Sequence, residues 1–105
     1  DTIMAVIAQL VFKPNPGADF NALIVLVKEG AALWRKYGAT VSFWTVSVGE
    51  VGNLVFSARF DAFDGYARCM DQITADPAFA AWQQKNMSAG LSTWVRSNLA
   101  REIPI

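Results

Sequence analysis

The sequence contains no histidine and only one cysteine, Cys69, and these absences restrict its chemistry. Without imidazole, neither Ser-His-Asp nor Cys-His nucleophilic machinery can be assembled. A zinc site would lack both imidazole and enough thiolates. A single cysteine excludes an internal disulfide and fits a reducing, cytoplasmic location. We therefore predict no metal site, no cofactor and an inert, buried thiol.

Charged residues are also scarce, at 17% of the chain against about 25% in an average soluble domain. The nine basic residues balance the nine acidic ones and are scattered, which disfavours nucleic-acid binding. Apolar runs fall well short of the roughly 20 residues that span a bilayer. With 53% hydrophobic residues, the chain is expected to expose apolar surface that a second copy covers.

Apolar periodicity and chain-breaking residues predict a single domain over residues 1–105 with the order β-α-β-β-α-β. Helices are predicted between the first and second and between the third and fourth strands, with a loop at residues 87–90. Asp19 is expected to cap the start of the first helix, with Pro16 as an alternative earlier start, and Gly38 is expected to end it. Asp64 is expected to cap the second helix, and Asp76 to restart it before Pro77. The predicted strands cover residues 3–13, 41–48, 53–60 and 91–99.

Two β-α-β crossovers sharing a central hairpin give a ferredoxin-like α+β fold with a four-stranded antiparallel sheet. Right-handed crossovers place the helices on one sheet face. The first strand is apolar almost throughout, so it needs cover on both faces. We therefore predict a homodimer through the sheet faces, which is a dimeric α+β barrel.

Three motifs occur in order along the chain. A Gly-bearing hairpin lies within residues 48–56, Asn53 opens the third strand, and an Asp-Pro pair precedes Phe79 and Trp82. Together they resemble the NIPSNAP-like group of the dimeric α+β barrel superfamily. The resemblance spans nearly the whole chain and implies the fold. The wider superfamily includes cofactor-independent monooxygenases, haem-degrading enzymes, small isomerases and proteins of unknown role, so the resemblance leaves the activity open. Haem degradation with a proximal histidine is disfavoured here.

Alternation along the strands supplies the candidate ligand-binding residues. The polar face of the third strand and a face of the last strand are predicted to line one cavity. Gln9, the one polar side chain inside the first strand, is predicted to line it as well. On the last strand, Ser92, Trp94, Arg96 and Asn98 are expected to share a face. The candidate residues are Gln9, Trp44, Asn53, Ser57, Arg59, Trp94 and Arg96.

Four of the candidates also have a plainer explanation. Arg59 and Arg96 could hold a carboxylate or enolate oxygen through charge-assisted hydrogen bonds. Alternatively, Arg59 pairs with Asp61 and Arg96 faces water. Trp44 and Trp94 could stack on a flat aromatic ligand, or they could belong to the core.

Three functions stay open from the sequence. The first is a small-molecule-binding protein of unassigned role that takes an apolar or aromatic ligand. The second is a cofactor-independent monooxygenase or isomerase acting on a bulky apolar or aromatic substrate, for which no catalytic residue is identified. The third is a structural dimer without a ligand.

Overall fold

The computed structural model describes residues 4–105, and within them the chain forms one four-stranded antiparallel sheet and three helices. Across the sheet, the order is second, third, first and fourth strand along the chain, with helical crossovers after the first and third strands. This is the predicted ferredoxin-like α+β fold, which is therefore confirmed. Position 3, where the first strand was expected to begin, lies outside the described residues. The elements are β1 (Val6–Pro14), α1 (Phe20–Lys36), β2 (Thr40–Thr45), β3 (Leu54–Phe60), α2 (Phe63–Ala75), α3 (Pro77–Ala89) and β4 (Ser92–Arg101).

Two of the three predicted helix caps are present. The Asp19 carboxylate accepts a hydrogen bond from the amide of Ala22 at 3.2 Å, and Asp76 accepts one from the amide of Ala78 at 2.8 Å. Each bond satisfies an amide that has no partner within its own helix. The prediction for Asp64 was wrong, because the cap is Ala62, two residues earlier, and it offers no side-chain acceptor. Asp64 instead lies in the first turn, where a carboxylate favours the helix dipole.

The third helix extends further than predicted. Residues 87–89 continue α3, and the helix ends at Gly90, whose φ of 62° lies in the left-handed region that favours glycine. The expected loop at residues 87–90 was therefore wrong. Nothing in residues 87–89 breaks a helix, and the stop signal is the glycine alone.

The core lies between the sheet and helices α1 and α2. From β3, Phe56, Ala58 and Phe60 are all buried, and Trp34 of α1 packs on Phe56 with ring centroids 5.8 Å apart. Ile73 of α2 is fully buried, and burial of such a side chain stabilises the fold by about 1.5–3 kcal/mol. The alternate residues of β3 point to the other side of the sheet. We call the side that faces the helices the helix face and the other side the open face.

A bulge in β4 changes which of its residues share a face. Val11 pairs with Arg96, but the next residue, Phe12, pairs with Trp94, so Val95 is an extra residue. Because cross-strand partners share a face, Trp94 lies on the helix face and Arg96 on the open face. The expectation that Trp94 and Arg96 share a face was wrong, since a bulge shifts the alternation by one residue.

No helix within residues 4–105 is long and apolar enough to cross a membrane.

Candidate functional site

A cavity of about 730 Å³ lies between the helix face of the sheet and the three helices. It exists because α3 packs along α1 and α2 and leaves β4 largely uncovered. None of the residues of α3 is buried, and β4 is exposed along most of its length. Trp94 and Met87, which are 67% and 76% exposed, form part of the cavity wall, so the cavity reaches the surface.

Aromatic side chains form much of the wall. They come from the sheet and from all three helices, so planar surfaces face the space from several directions. Phe79 and Trp82 of α3 are stacked with centroids 5.9 Å apart and an interplanar angle of 19°. The aromatic residues of the wall are Phe12, Trp34, Phe56, Tyr66, Phe79, Trp82 and Trp94.

Trp82 attaches α3 to α1. Its indole Nε1 donates a hydrogen bond to the carbonyl oxygen of Leu26 at 2.9 Å. The benzo ring lies against Gly30, one helical turn further along α1, at a distance that a side chain there would not permit. The Lys85–Glu29 ion pair at 3.1 Å joins the same two helices on the exposed side.

The polar groups on the wall are uncharged. Gln83 and Asn86 lie on one side of α3 at a three-residue spacing, and Ser92 and Ser97 come from β4. Thr74 also lines the cavity, but its hydroxyl donates to the carbonyl of Met70 at 2.6 Å. Among the described residues, no Asp, Glu, Lys or Arg lines this space.

Cys69 lies beneath the cavity in the core. It is fully buried, and burial raises the pKa of its thiol above the usual value. The thiolate is the reactive form of cysteine, so this sulfur is held in its unreactive form. The prediction of a buried, inert thiol agrees with this placement.

Six of the seven sequence-predicted ligand-binding residues lie away from the cavity, on or beside the open face. Gln9 and Ser57 are direct cross-strand partners in β1 and β3. The indole Nε1 of Trp44 donates to the hydroxyl of Ser57 at 2.8 Å, and that hydroxyl donates to the carbonyl of Ser42 at 3.3 Å. The structure therefore brings Gln9, Ser57 and Trp44 together at the centre of this face.

The two arginines are both paired with carboxylates. Arg59 binds Asp61 at 3.2 Å near the end of β3, which is the plainer alternative stated above. Arg96 donates from Nη1 to both carboxylate oxygens of Glu50, at 2.6 and 2.8 Å, instead of facing water alone. The amide of Asn53 also donates to Glu50 at 2.8 Å.

The sequence reading did not identify Glu50 as the partner of Arg96 and Asn53. Glu50 belongs to the β2–β3 loop, whereas Arg96 belongs to β4, and β1 lies between β3 and β4 in the sheet. The loop therefore reaches across the open face, and Val11 on this face is only 2% exposed. Hydrogen bonding from Arg96, as the main cause, lowers the pKa of Glu50, which keeps the ion pair charged.

Trp94 is the one predicted residue that lines the cavity. The ligand-binding role of the other six stays a prediction. The sequence reading missed Gln83, Asn86 and Trp82 as residues of a ligand site. The signal that could have found them is a helix with only a weak apolar stripe, in which Asn86 follows Trp82 by four residues and Gln83 by three.

Comparison with known proteins places the fold. No protein-family model and no curated protein matches the chain. Among solved structures, an uncharacterized NIPSNAP-like domain protein from Burkholderia xenovorans is 18% identical, with a TM-score of 0.72 over 100% of this chain and 88% of that chain. A NIPSNAP family protein from Agrobacterium tumefaciens is 14% identical, with a TM-score of 0.71 over 96% and 93%.

A third similar structure is SnoaB from Streptomyces nogalater, a cofactor-independent oxygenase. It is 14% identical to this chain, with a TM-score of 0.66 over 99% of this chain and 97% of that one. At these identities the likeness shows the fold alone. The resemblance drawn from the sequence motifs is confirmed at that level.

Proposed function

We propose that this chain, whose fold is that of NIPSNAP-like structures, binds an uncharged and largely apolar small molecule in the cavity between α3 and β4. The observation that carries the proposal is the cavity itself. Its volume of about 730 Å³ falls in the range of small-molecule sites, roughly 300–1,000 Å³. Such sites combine apolar and aromatic walls with a few polar groups, which is the composition of this wall.

The wall chemistry argues for the class of ligand. A charged ligand would lose hydration without meeting a counter-charge, which is costly in an apolar space. A planar aromatic ligand can stack on Trp82 or Trp94. Carbonyl or hydroxyl groups on such a ligand can exchange hydrogen bonds with the amides of Gln83 and Asn86.

The neutral fluorescent dye N-phenyl-1-naphthylamine tests this proposal. We expect saturable binding at one dye per chain, with quenching of tryptophan emission. Ser97→Phe places a ring in the cavity and should weaken binding by at least about tenfold, since bulk in a filled pocket excludes the ligand. Ser88→Phe, the same change at an exposed position of α3 outside the cavity wall, is the control. Equal affinity in the two variants would contradict the site.

A second copy of the chain is the proposed partner at the open face. The helices cover only one side of the sheet, and the open face carries Ile7 and Val55 beside Trp44, which is 59% exposed. In a two-fold arrangement the same patch faces itself. We propose that Gln9, Ser57 and the other candidates of this face lie at that interface.

Substitutions of Trp44 and Trp94 test the dimer interface and the ligand site separately. Light scattering at micromolar concentration should give twice the 11.5 kDa chain mass. Trp44→Glu should give the monomer mass, because it places a charge at the interface. Trp94→Glu, on the opposite face, should leave the dimer intact and weaken dye binding. A wild-type monomer would refute the interface.

A cofactor-independent oxygenase or isomerase is the second candidate function. The likeness to SnoaB over nearly the whole chain favours it. In such chemistry the substrate supplies the electrons that reduce O₂, and the protein stabilises the substrate anion. Donors such as Asn86 and Gln83 could stabilise an enolate or phenolate oxygen. Oxygen consumption with neutral polycyclic phenols, compared between wild type and Asn86→Ala, tests the oxygenase. Binding without oxygen uptake, with the phenol recovered unchanged, favours the binding function over both enzymes.

We also propose a cytoplasmic location, which is supported by the single, unpaired Cys69.

A further inference from the structure

Gly30 breaks a local rule of helix formation. It lies in the interior of the 17-residue helix α1, among residues that favour helix, where glycine is less favourable than alanine. Its backbone conformation is ordinary, because no positive φ is recorded there. The reason for a glycine must therefore be space and not conformation.

The space is occupied by Trp82. A Cβ atom at position 30 would lie 2.7 Å from Cζ2, 3.0 Å from Cε2 and 3.1 Å from Cη2 of the indole. These contacts involve the ring body of a large side chain whose Nε1 is bonded to the carbonyl of Leu26. The indole therefore spans one turn of α1, from the carbonyl of Leu26 to Gly30. Because Gly30 has no side chain, the surface of α1 leaves a space there that the indole fills, and we call this space the slot.

The slot determines the position of the cavity wall that Trp82 forms. Both Gly30 and Trp82 line the cavity, and Phe79 stacks on Trp82. No residue of α3 is buried, and the indole joins this helix to α1 through its hydrogen bond to Leu26. A methyl group in the slot would push the indole away from α1 by at least 0.7 Å, to the 3.4 Å at which ordinary contact begins.

Resting on the proposed ligand-binding function, we infer that Gly30 and Trp82 determine the size of the ligand that the cavity accepts. Gly30 lets the indole lie close to α1 and so leaves room for a wide aromatic ligand. Trp82 limits that room. We therefore expect substitutions of this pair to change the ratio of the affinities for large and small ligands, and not only to change all affinities by the same factor.

Neutral fluorescent alcohols of growing ring number test the inference: 1-naphthalenemethanol, 9-anthracenemethanol and 1-pyrenemethanol. For Gly30→Ala we expect the ratio of pyrene to naphthalene affinity to fall by about tenfold, since one methylene in an apolar pocket changes discrimination by roughly 10–200-fold. For Trp82→Phe, which has one ring fewer, we expect that ratio to rise. The double variant should return the ratio to within about twofold of wild type, because the smaller ring leaves room for the methyl group.

Gly65→Ala is the matched control. It makes the same change in a helix, but a Cβ there would lie at an ordinary 3.5 Å from Cβ of Phe60, outside the cavity wall. It should leave the ratio unchanged. The indole N–H resonance of Trp82, identified by its loss in Trp82→Phe, should shift in Gly30→Ala and exchange faster with solvent.

The outcomes distinguish this inference from the function on which it rests. If wild type binds none of the three alcohols, the ligand-binding proposal fails and the inference fails with it. If wild type binds but Trp82→Phe and Gly30→Ala change all three affinities equally, only the role in ligand choice is refuted. Should Gly30→Ala not fold, Trp82→Phe alone still decides, because an unchanged ratio in that variant refutes the inference.

Discussion

Filling the slot at Gly30 should also destabilise the fold. Alanine gains about 0.5–1 kcal/mol over glycine in a helix interior. Against this gain, the displaced indole of Trp82 loses its hydrogen bond to Leu26, about 0.5–1.5 kcal/mol. Overpacking by one methyl group, which would stand 2.7 Å from the ring, costs about 1–3 kcal/mol more. We therefore expect Gly30→Ala to lower the free energy of unfolding by about 2 kcal/mol.

Urea denaturation followed by far-UV circular dichroism measures this change. Gly65→Ala should be neutral or stabilising by up to about 1 kcal/mol, because its methyl group meets only ordinary contacts. For a domain of this size, the loss in Gly30→Ala corresponds to a fall in Tm of about 8–16 °C. All variants are compared at one protein concentration, since a dimer's apparent stability depends on it. If Gly30→Ala were as stable as Gly65→Ala, the close contact between Gly30 and Trp82 would be refuted.

Three further predictions concern pH, the β2–β3 loop and the buried thiol. The hydrogen bond from Tyr37 is the main cause that lowers the pKa of Asp76 in the folded state. The ionised Asp76 carboxylate therefore stabilises the fold above its unfolded pKa of about 4. This stabilisation is lost as the pH falls from there through the lower, folded pKa. Asp76→Asn should therefore narrow the gap in urea midpoint between pH 7 and pH 3. Glu50→Gln should weaken the bond to Arg96 and speed hydrogen exchange in the loop; unchanged exchange would contradict its role. Cys69 should react with a thiol reagent only on unfolding, and rapid native modification would refute its burial.

Local signals in the sequence were sufficient for the starts of α1 and α3, but not for the start of α2. Asp19 and Asp76 act through amides two or three residues away, so nothing distant can override them. The apolar alternation of β3 was likewise sufficient for its buried face. These features depend on near neighbours or on one strand's own period.

The features that the sequence reading missed depend on tertiary contacts. A bulge at Val95 adds one residue to β4 and reverses the side taken by Trp94, and no residue near it is a recognisable bulge signal. The ion pair between Arg96 and Glu50 joins residues that are 46 positions apart. The cavity arises because α3 packs on other helices and not on β4, which is a property of the helix arrangement.

The most direct test of the account is a crystal structure of the protein with N-phenyl-1-naphthylamine bound. We predict density for the dye between α3 and β4, in contact with Trp82 and Trp94. Density for the dye on the open face alone, with the space beside Trp82 closed or filled by protein, would contradict the account.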